Sequence, residues 1–132
     1  MKITLLLTLL TAFSVSMAVA AETPAPPKKT ASQLRHVVLF KFKDSATPAD
    51  IKRVETAFRA LPTQIPEIKG FEFGTNNSPE NLAQGFTHCF FLTFDNEAGR
   101  AAYLPHPAHK AFGEVLRPFL DKVLVIDYQA GN

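Results

Sequence analysis

The sequence predicts an α+β domain with a ferredoxin-like fold, a four-stranded antiparallel sheet with helices on one face. The segments of residues 34–129 follow the order strand, helix, strand, strand, helix, strand, which is the order of the split βαβ motif. The strand-like segments alternate in polarity, whereas the helix-like segments have apolar residues at spacings of three and four. Together, these patterns predict one small domain with a single helix layer.

The first half of the domain is predicted to form a strand, a helix and a second strand. Residues 34–43 have apolar side chains on both faces, so this strand needs cover on both sides. Thr47 is suited to cap a helix and Pro48 to occupy its first position, and we expect Pro62 to end this helix. The apolar stripe of the helix consists of Ile51, Val54, Phe58 and Leu61. A short second strand is predicted over residues 68–74.

The second half is predicted to form the central strand, an interrupted helix and the last strand. Residues 86–94 show the strongest alternation in the chain, which predicts a central position in the sheet. A short helix over residues 97–104 is interrupted by Pro105, and a second helix follows over residues 107–117. Residues 123–128 form an apolar last strand. The resulting topology leaves one face of the sheet without helices.

Apolar residues on that second face predict a homodimer. These residues are Val37, Leu39, Cys89 and Phe91. An exposed apolar sheet face usually marks an interface, and small domains commonly gain stability by dimerising. We therefore expect two copies to pack sheet to sheet.

The N-terminal segment indicates export. Lys2 precedes an apolar run and several small residues, which is typical of a secretory signal peptide over residues 1–21. An uncleaved membrane anchor is the alternative; after cleavage we expect no stable membrane association. Residues 22–33 are rich in Pro and Lys and are predicted to form a flexible tether. The expected location is the periplasm or the exterior of the cell.

Charge and metal-ligand spacing argue against two classes of partner. Residues 34–129 contain 11 Lys and Arg and 11 Asp and Glu, so a nucleic acid would find no basic surface. His106 and His109 have a spacing at which a regular helix can share a metal ion, but Pro107 interrupts that geometry. A prediction of haem binding would rest only on analogy with other proteins of this fold. We therefore expect neither a metal nor a cofactor.

The segment from Tyr103 to His109 carries the groups best suited to proton transfer. His109 falls on the apolar stripe of its helix, and His36 falls on the face of the first strand that the helices are expected to cover. A neutral His109 could act as a general base, with Tyr103 or His36 as hydrogen-bond partner or proton donor. The alternative is that His109 is a core histidine bonded to the backbone. His106 is expected to hold the bend between two prolines, and His88 to be structural.

Apolar residues on the same faces are predicted to line a pocket between sheet and helices. They are Val38, Phe40, Val54, Phe58, Phe90 and Phe112. Cys89 has no basic neighbour in sequence and is expected to be a small buried hydrophobic residue.

Four sequence blocks resemble the stress-responsive dimeric α/β-barrel (Dabb) domain family, over about residues 34–128. The blocks are His36–Lys43, Gly85–His88, Tyr103–His109 and Val125–Tyr128. The resemblance implies a ferredoxin-like protomer whose sheet packs on that of its partner to form a barrel. In a plant polyketide cyclase of this family, a histidine matching His109 serves as base, a tyrosine matching Tyr103 assists at the carbonyl, and a histidine matching His36 lies in the pocket. Phe90 is bulkier than the matching cyclase residue, which disfavours a long polyketide substrate.

Two functions are compatible with these features. The first is an exported stress-responsive protein, a homodimer that binds a small apolar or carbonyl ligand in the pocket. The alternative is a cofactor-free lyase or isomerase of the aldol or enolisation type, with His109 as general base.

Overall fold

The structure is a computed structural model that describes residues 32–131. The predicted signal peptide and all but the last two residues of the predicted tether lie outside this range. The strands are β1 (Leu34–Phe42), β2 (Gly70–Thr75), β3 (His88–Phe94) and β4 (Leu120–Gln129), and the helices are α1 (Pro48–Arg59), α2 (Leu61–Gln64), α3 (Glu97–Tyr103) and α4 (Pro107–Leu116). No helix among residues 32–131 has the length and apolar character needed to cross a membrane.

The predicted ferredoxin-like fold is confirmed. The four strands form one antiparallel sheet in the order β2-β3-β1-β4, so the two strands predicted to have apolar residues on both faces lie at its centre. His36 of β1 lies opposite Leu92 of β3 and Asp127 of β4. Residues opposite each other in antiparallel strands share a face. The register therefore brings Asp127 to the helix-covered face beside His36.

Helix α1 begins as predicted but ends in a different way. The Thr47 hydroxyl accepts a hydrogen bond from the backbone N–H of Asp50, and the Asp50 carboxylate accepts one from the backbone N–H of Thr47, which completes a capping box. The helix ends at Arg59, and Pro62 lies in the first turn of α2 rather than ending α1. Proline is tolerated there because the first helical N–H groups have no partner within the helix.

The predicted bounds of all four strands differ from the observed ones, by one residue in β1, by up to two in β2 and by more in β4. Strand β3 begins at His88 rather than at residue 86. Strand β4 begins at Leu120, three residues before the predicted start, because it continues its pairing with β1 past a register shift between Lys41 and Phe42. The extension was not predicted because Asp121 and Lys122 are charged and interrupt the alternation of apolar residues.

The core lies between the sheet and the two long helices, and aromatic rings fill its centre. The Phe58 ring contacts the rings of Phe90 and Phe112, with centroids 4.2 and 4.6 Å away. Phe40 stacks against Phe112 from the sheet side. Burial of one such side chain stabilises the fold by roughly 1.5 to 3 kcal/mol. This cluster forms the floor on which the candidate site rests.

The helices do not cover β4, and this leaves a cleft. On the helix side of the sheet, Val123 and Val125 remain 49% and 48% exposed. On the opposite face, Leu124, Ile126 and Tyr128 are also more than 40% exposed. Strand β4 is therefore an edge strand with apolar residues on both faces, beside the C-terminal helices α3 and α4.

Candidate functional site

The cleft between β4 and the helices α3 and α4 is the candidate functional site. It has a volume of about 460 Å³, within the ~300 to 1,000 Å³ typical of small-molecule sites. Its walls are mostly apolar and come from β1, β4, the two C-terminal helices and Phe58 of α1. All three residues predicted to be catalytic, His36, Tyr103 and His109, line this cleft.

Tyr103 contacts both of the imidazoles that line the cleft. Its ring centroid lies 4.2 Å from that of His109 and 5.6 Å from that of His36. The side chain is 1% exposed, and burial raises the pKa of its phenol above the ordinary value near 10. Among the described residues its hydroxyl has no hydrogen-bond partner, so the group is available to donate to a ligand.

The orientation of His109 follows from one backbone contact. Its Nδ1 lies 3.0 Å from the carbonyl oxygen of Leu104. Because a carbonyl only accepts hydrogen bonds, Nδ1 carries the hydrogen, and Nε2 of a neutral ring keeps a free lone pair. His109 is therefore bonded to the backbone, as the alternative interpretation expected, but it is half-buried and not part of the core. Its second ring nitrogen remains suited to accept a proton.

His36 is held by a carboxylate that is held in turn by an arginine. The His36 Nδ1 donates to Asp127 Oδ1 at 2.6 Å, and the Arg100 Nη1 donates to Asp127 Oδ2 at 2.9 Å. The imidazole is almost fully buried, whereas about a third of the carboxylate is exposed. This chain of contacts fixes the ring of His36 and assigns its Nδ1 as a donor.

The structure distributes the predicted ligand-binding residues between the cleft and the core. Val38, Phe40, Phe58 and Phe112 line the cleft. Val54 and Phe90 are completely buried in the core cluster and are not among the residues of the cleft wall. Phe90 packs edge-on against the ring of Phe58, which does line the cleft.

The remaining histidines and the cysteine lie elsewhere. His88 Nε2 lies 3.3 Å from Glu55 Oε1, and its ring packs edge-on against Phe42. His106 caps α4, since its Nδ1 accepts a hydrogen bond from the backbone N–H of Ala108. Burial raises the pKa of the Cys89 thiol, on the sheet face without helices. Within residues 32–131, no three metal-ligating side chains form a group that could hold a metal ion.

Two residues of the site, Asp127 and Arg100, were missed in the sequence. Asp127 is the one charged residue of an apolar segment, and its spacing along β4 gives no sign of His36, which is 91 positions away. The register of β4 on β1 brings the pair together, and alternation along each strand does not determine that register. Arg100 has no local signal, because its partner is reached only after α3 packs on the sheet.

A second cavity of about 380 Å³ lies on the other face of the sheet, beneath the loop that joins β2 to β3. Its wall includes Leu39, Cys89 and Leu124 of the sheet and Leu82 of the loop. These residues belong to the apolar face that is predicted to pack against a second copy. We therefore place the candidate site in the helix-side cleft, where the proton-transfer groups meet.

The fold and the cleft together define a ferredoxin-like α+β protein with a mostly apolar cleft on its helix side. The chain belongs to the Dabb family, the stress responsive A/B barrel domain, whose model matches residues 34–130. The predicted family is thus confirmed.

Two plant proteins are similar to this chain in sequence. The chain is 42% identical over 96 residues to the stress-response A/B barrel domain-containing protein HS1 of Arabidopsis thaliana, a match that covers 73% of this chain and 88% of that protein. It is 34% identical over 95 residues to olivetolic acid cyclase of Cannabis sativa, covering 72% of this chain and 94% of the cyclase.

Solved structures add a lyase and a dimer. Hydroxynitrile lyase from Passiflora edulis superposes with a TM-score of 0.72 at 26% identity, over 76% of this chain and 95% of the lyase. A dimeric protein with a ferredoxin-like fold from Bacteroides fragilis superposes with a TM-score of 0.62 at 28% identity, over 74% of this chain and 96% of that one. The relatives of this chain therefore include two named enzymes and a dimer.

Proposed function

We propose that this protein is a homodimer that binds a small carbonyl compound in the cleft between the sheet and helices α3 and α4. The observation that carries the proposal is the convergence of His36, Tyr103 and His109 on one apolar cleft. Within residues 32–131 the Tyr103 hydroxyl forms no hydrogen bond, and a ligand carbonyl oxygen is an acceptor to which it can donate.

The four histidines allow a direct test of binding. With histidine labelled at ¹³Cε1, four imidazole signals report on two residues in the cleft, His36 and His109, and two outside it, His88 and His106. Addition of acetophenone or 2-heptanone is expected to shift the first two signals and leave the other two unchanged. The proposal is wrong if the signals of His36 and His109 do not respond at millimolar ketone, or if all four shift alike.

A second function, cofactor-free proton transfer of the lyase or isomerase type, is favoured by the contact of His109 with Leu104. The free lone pair on Nε2 could remove a proton next to a carbonyl group, while the Tyr103 hydroxyl stabilises the developing oxyanion. The negative charge then rests on an enolate oxygen that accepts the phenol hydrogen bond. The similarity to a cyclase and a lyase supports this second function.

The two tyrosines of the chain provide a matched pair for testing proton transfer. Solvent deuterium incorporation into acetophenone is measured by mass spectrometry with the wild type, Tyr103→Phe and Tyr128→Phe. Removal of an oxyanion donor commonly lowers a rate by about 10², so Tyr103→Phe should lose most of the exchange. Tyr128 lies outside the cleft, and its variant should retain the wild-type rate. Equal rates for the two variants would exclude Tyr103 from the chemistry.

The dimer is proposed to form through the sheet face that carries no helices. That face presents Val37, Leu39, Phe91, Leu124 and Ile126. The structural relatives of the chain include proteins described as dimeric. Two such sheets packed face to face would bury these side chains in a second core. Light scattering on the purified domain should give the mass of two chains; a monomer at micromolar concentration would refute the dimer.

Export is proposed from the sequence of residues 1–21. Expression of the full chain in a bacterium, followed by fractionation and N-terminal sequencing, should recover a chain that begins near residue 21 or 22 outside the cytoplasm. Recovery of the uncleaved chain in the cytoplasm would overturn the proposal.

A further inference from the structure

We propose that the ligand of the cleft is a monocarboxylate with an apolar body, whose carboxylate lies at a cationic rim formed by Lys110 and Gly113 of α4 and by Arg117, the residue that caps its C-terminus. This inference rests on the proposed binding function and adds the chemical class of the ligand. All three residues of the cationic rim line the cleft.

The three residues share one face of the helix. They are spaced three and four positions apart, so their side chains project in nearly the same direction. Lys110 and Arg117 are separated by two turns, or roughly 10 Å along the helix axis. Between them Gly113 has no side chain, and a Cβ atom placed there would meet no heavy atom within 4 Å. Gly113 therefore leaves a gap in the cationic rim, between the side chains of Lys110 and Arg117, and this gap opens towards the cleft.

The charges of this region indicate a ligand with a single negative charge. Arg117 is paired with Glu114 one turn earlier on the same helix. Lys110 is exposed and takes part in none of the ion pairs formed within residues 32–131. The acidic residue that lines the cleft, Asp127, is already bonded to His36 and Arg100. One positive charge at the mouth thus remains without compensation, which matches a carboxylate better than a doubly charged phosphate.

The interior of the cleft matches the apolar body of the proposed ligand. Beyond the cationic rim the wall is formed by apolar side chains, among them Leu116, Val123 and Val125. An apolar chain or ring would cover these groups, while the carbonyl lies near Tyr103 and His109. An oxo acid whose ketone and carboxylate are separated by several carbons combines both requirements.

The test compares acids with their uncharged methyl esters. The series contains 4-oxopentanoate, 6-oxoheptanoate and 4-acetylbenzoate with the corresponding esters, and binding is measured by titration of the ¹³Cε1 histidine signals. We expect at least one acid to bind about fivefold more tightly than its ester, as expected for one partly exposed ion pair. Lys110→Ala should remove this preference, whereas Lys52→Ala, at an exposed lysine of α1 outside the cleft, should retain it.

A second variant blocks the gap without removing a charge. Gly113→Leu projects into open space and is therefore expected to fold, but its side chain should weaken binding of both acid and ester. If esters and acids bind equally well in the cleft, the carboxylate proposal is wrong and the carbonyl-binding function stands. If no compound shifts His36 or His109, both proposals are wrong. A preference for acids that survives Lys110→Ala would also overturn the role of the cationic rim.

Discussion

Replacement of Asp127 by asparagine tests whether the contacts of Asp127 fix the orientation of the His36 ring in the cleft wall. The substitution keeps the shape of the side chain but removes its charge. Asp127 accepts one hydrogen bond from the buried His36 and one from Arg100. A hydrogen bond to a charged group contributes roughly 1.5 to 3 kcal/mol, compared with roughly 0.5 to 1.5 kcal/mol between neutral groups.

The expected loss follows from these two contacts. Asparagine can still accept from His36, so about 1 kcal/mol is lost there. The contact with Arg100 is partly exposed and contributes less than about 1 kcal/mol. We therefore expect the free energy of unfolding to fall by about 1 to 2 kcal/mol. Urea unfolding followed by circular dichroism measures this loss.

Asp121→Asn provides the matched control on the same strand. Asp121 pairs with Lys41 on the surface, away from the cleft, so its replacement should leave both stability and ligand binding unchanged. Asp127→Asn should in addition weaken ketone binding and broaden or shift the signal of His36. The explanation would be refuted if the two variants behaved alike in unfolding and in binding.

Three further predictions concern the phenol, the sheet face and the core. Because burial raises the pKa of Tyr103, the folded state keeps its proton at a pH where the unfolded chain loses it; stability should therefore fall as the pH rises above about 10. Urea unfolding between pH 8 and 11 should show a smaller fall for Tyr103→Phe, and equal falls would contradict the assignment. Val37→Lys places a charge at the centre of the proposed dimer interface and should yield monomers in light scattering with the helix content unchanged; a persistent dimer would place the interface elsewhere. Phe58→Ala removes a fully buried ring and should cost about 3 to 5 kcal/mol in urea unfolding, whereas a loss below about 1 kcal/mol would mean that the ring is not part of the core.

The topology and part of the site could be predicted from the sequence because both depend on local patterns. Alternation placed His36 on the helix-covered face, and helical periodicity placed His109 on the apolar stripe of α4. Both placements hold in the structure. The number of strands and the inner position of β3 were likewise predicted from the alternation of apolar and polar residues along the sequence.

What the sequence could not reveal depends on contacts between distant segments. Asp127 reaches His36 through the register of β4 on β1, and Arg100 reaches Asp127 through the packing of α3. The burial of Phe90 beneath Phe58, away from the cleft wall, is also a result of packing. Even the start of β4 was missed, because backbone pairing extended a strand through charged residues.

The comparison of His109→Asn with His106→Asn shows whether the cleft is the functional site of the protein. Asparagine at position 106 preserves a cap for α4, since it is a favoured N-cap residue, and asparagine at position 109 removes the base from the cleft. With acetophenone in deuterated buffer, we expect wild-type exchange and binding for His106→Asn. For His109→Asn we expect a folded dimer without exchange and with weakened binding. Equal behaviour of the two variants, or full exchange and binding by His109→Asn, would contradict the assignment of the cleft as the functional site.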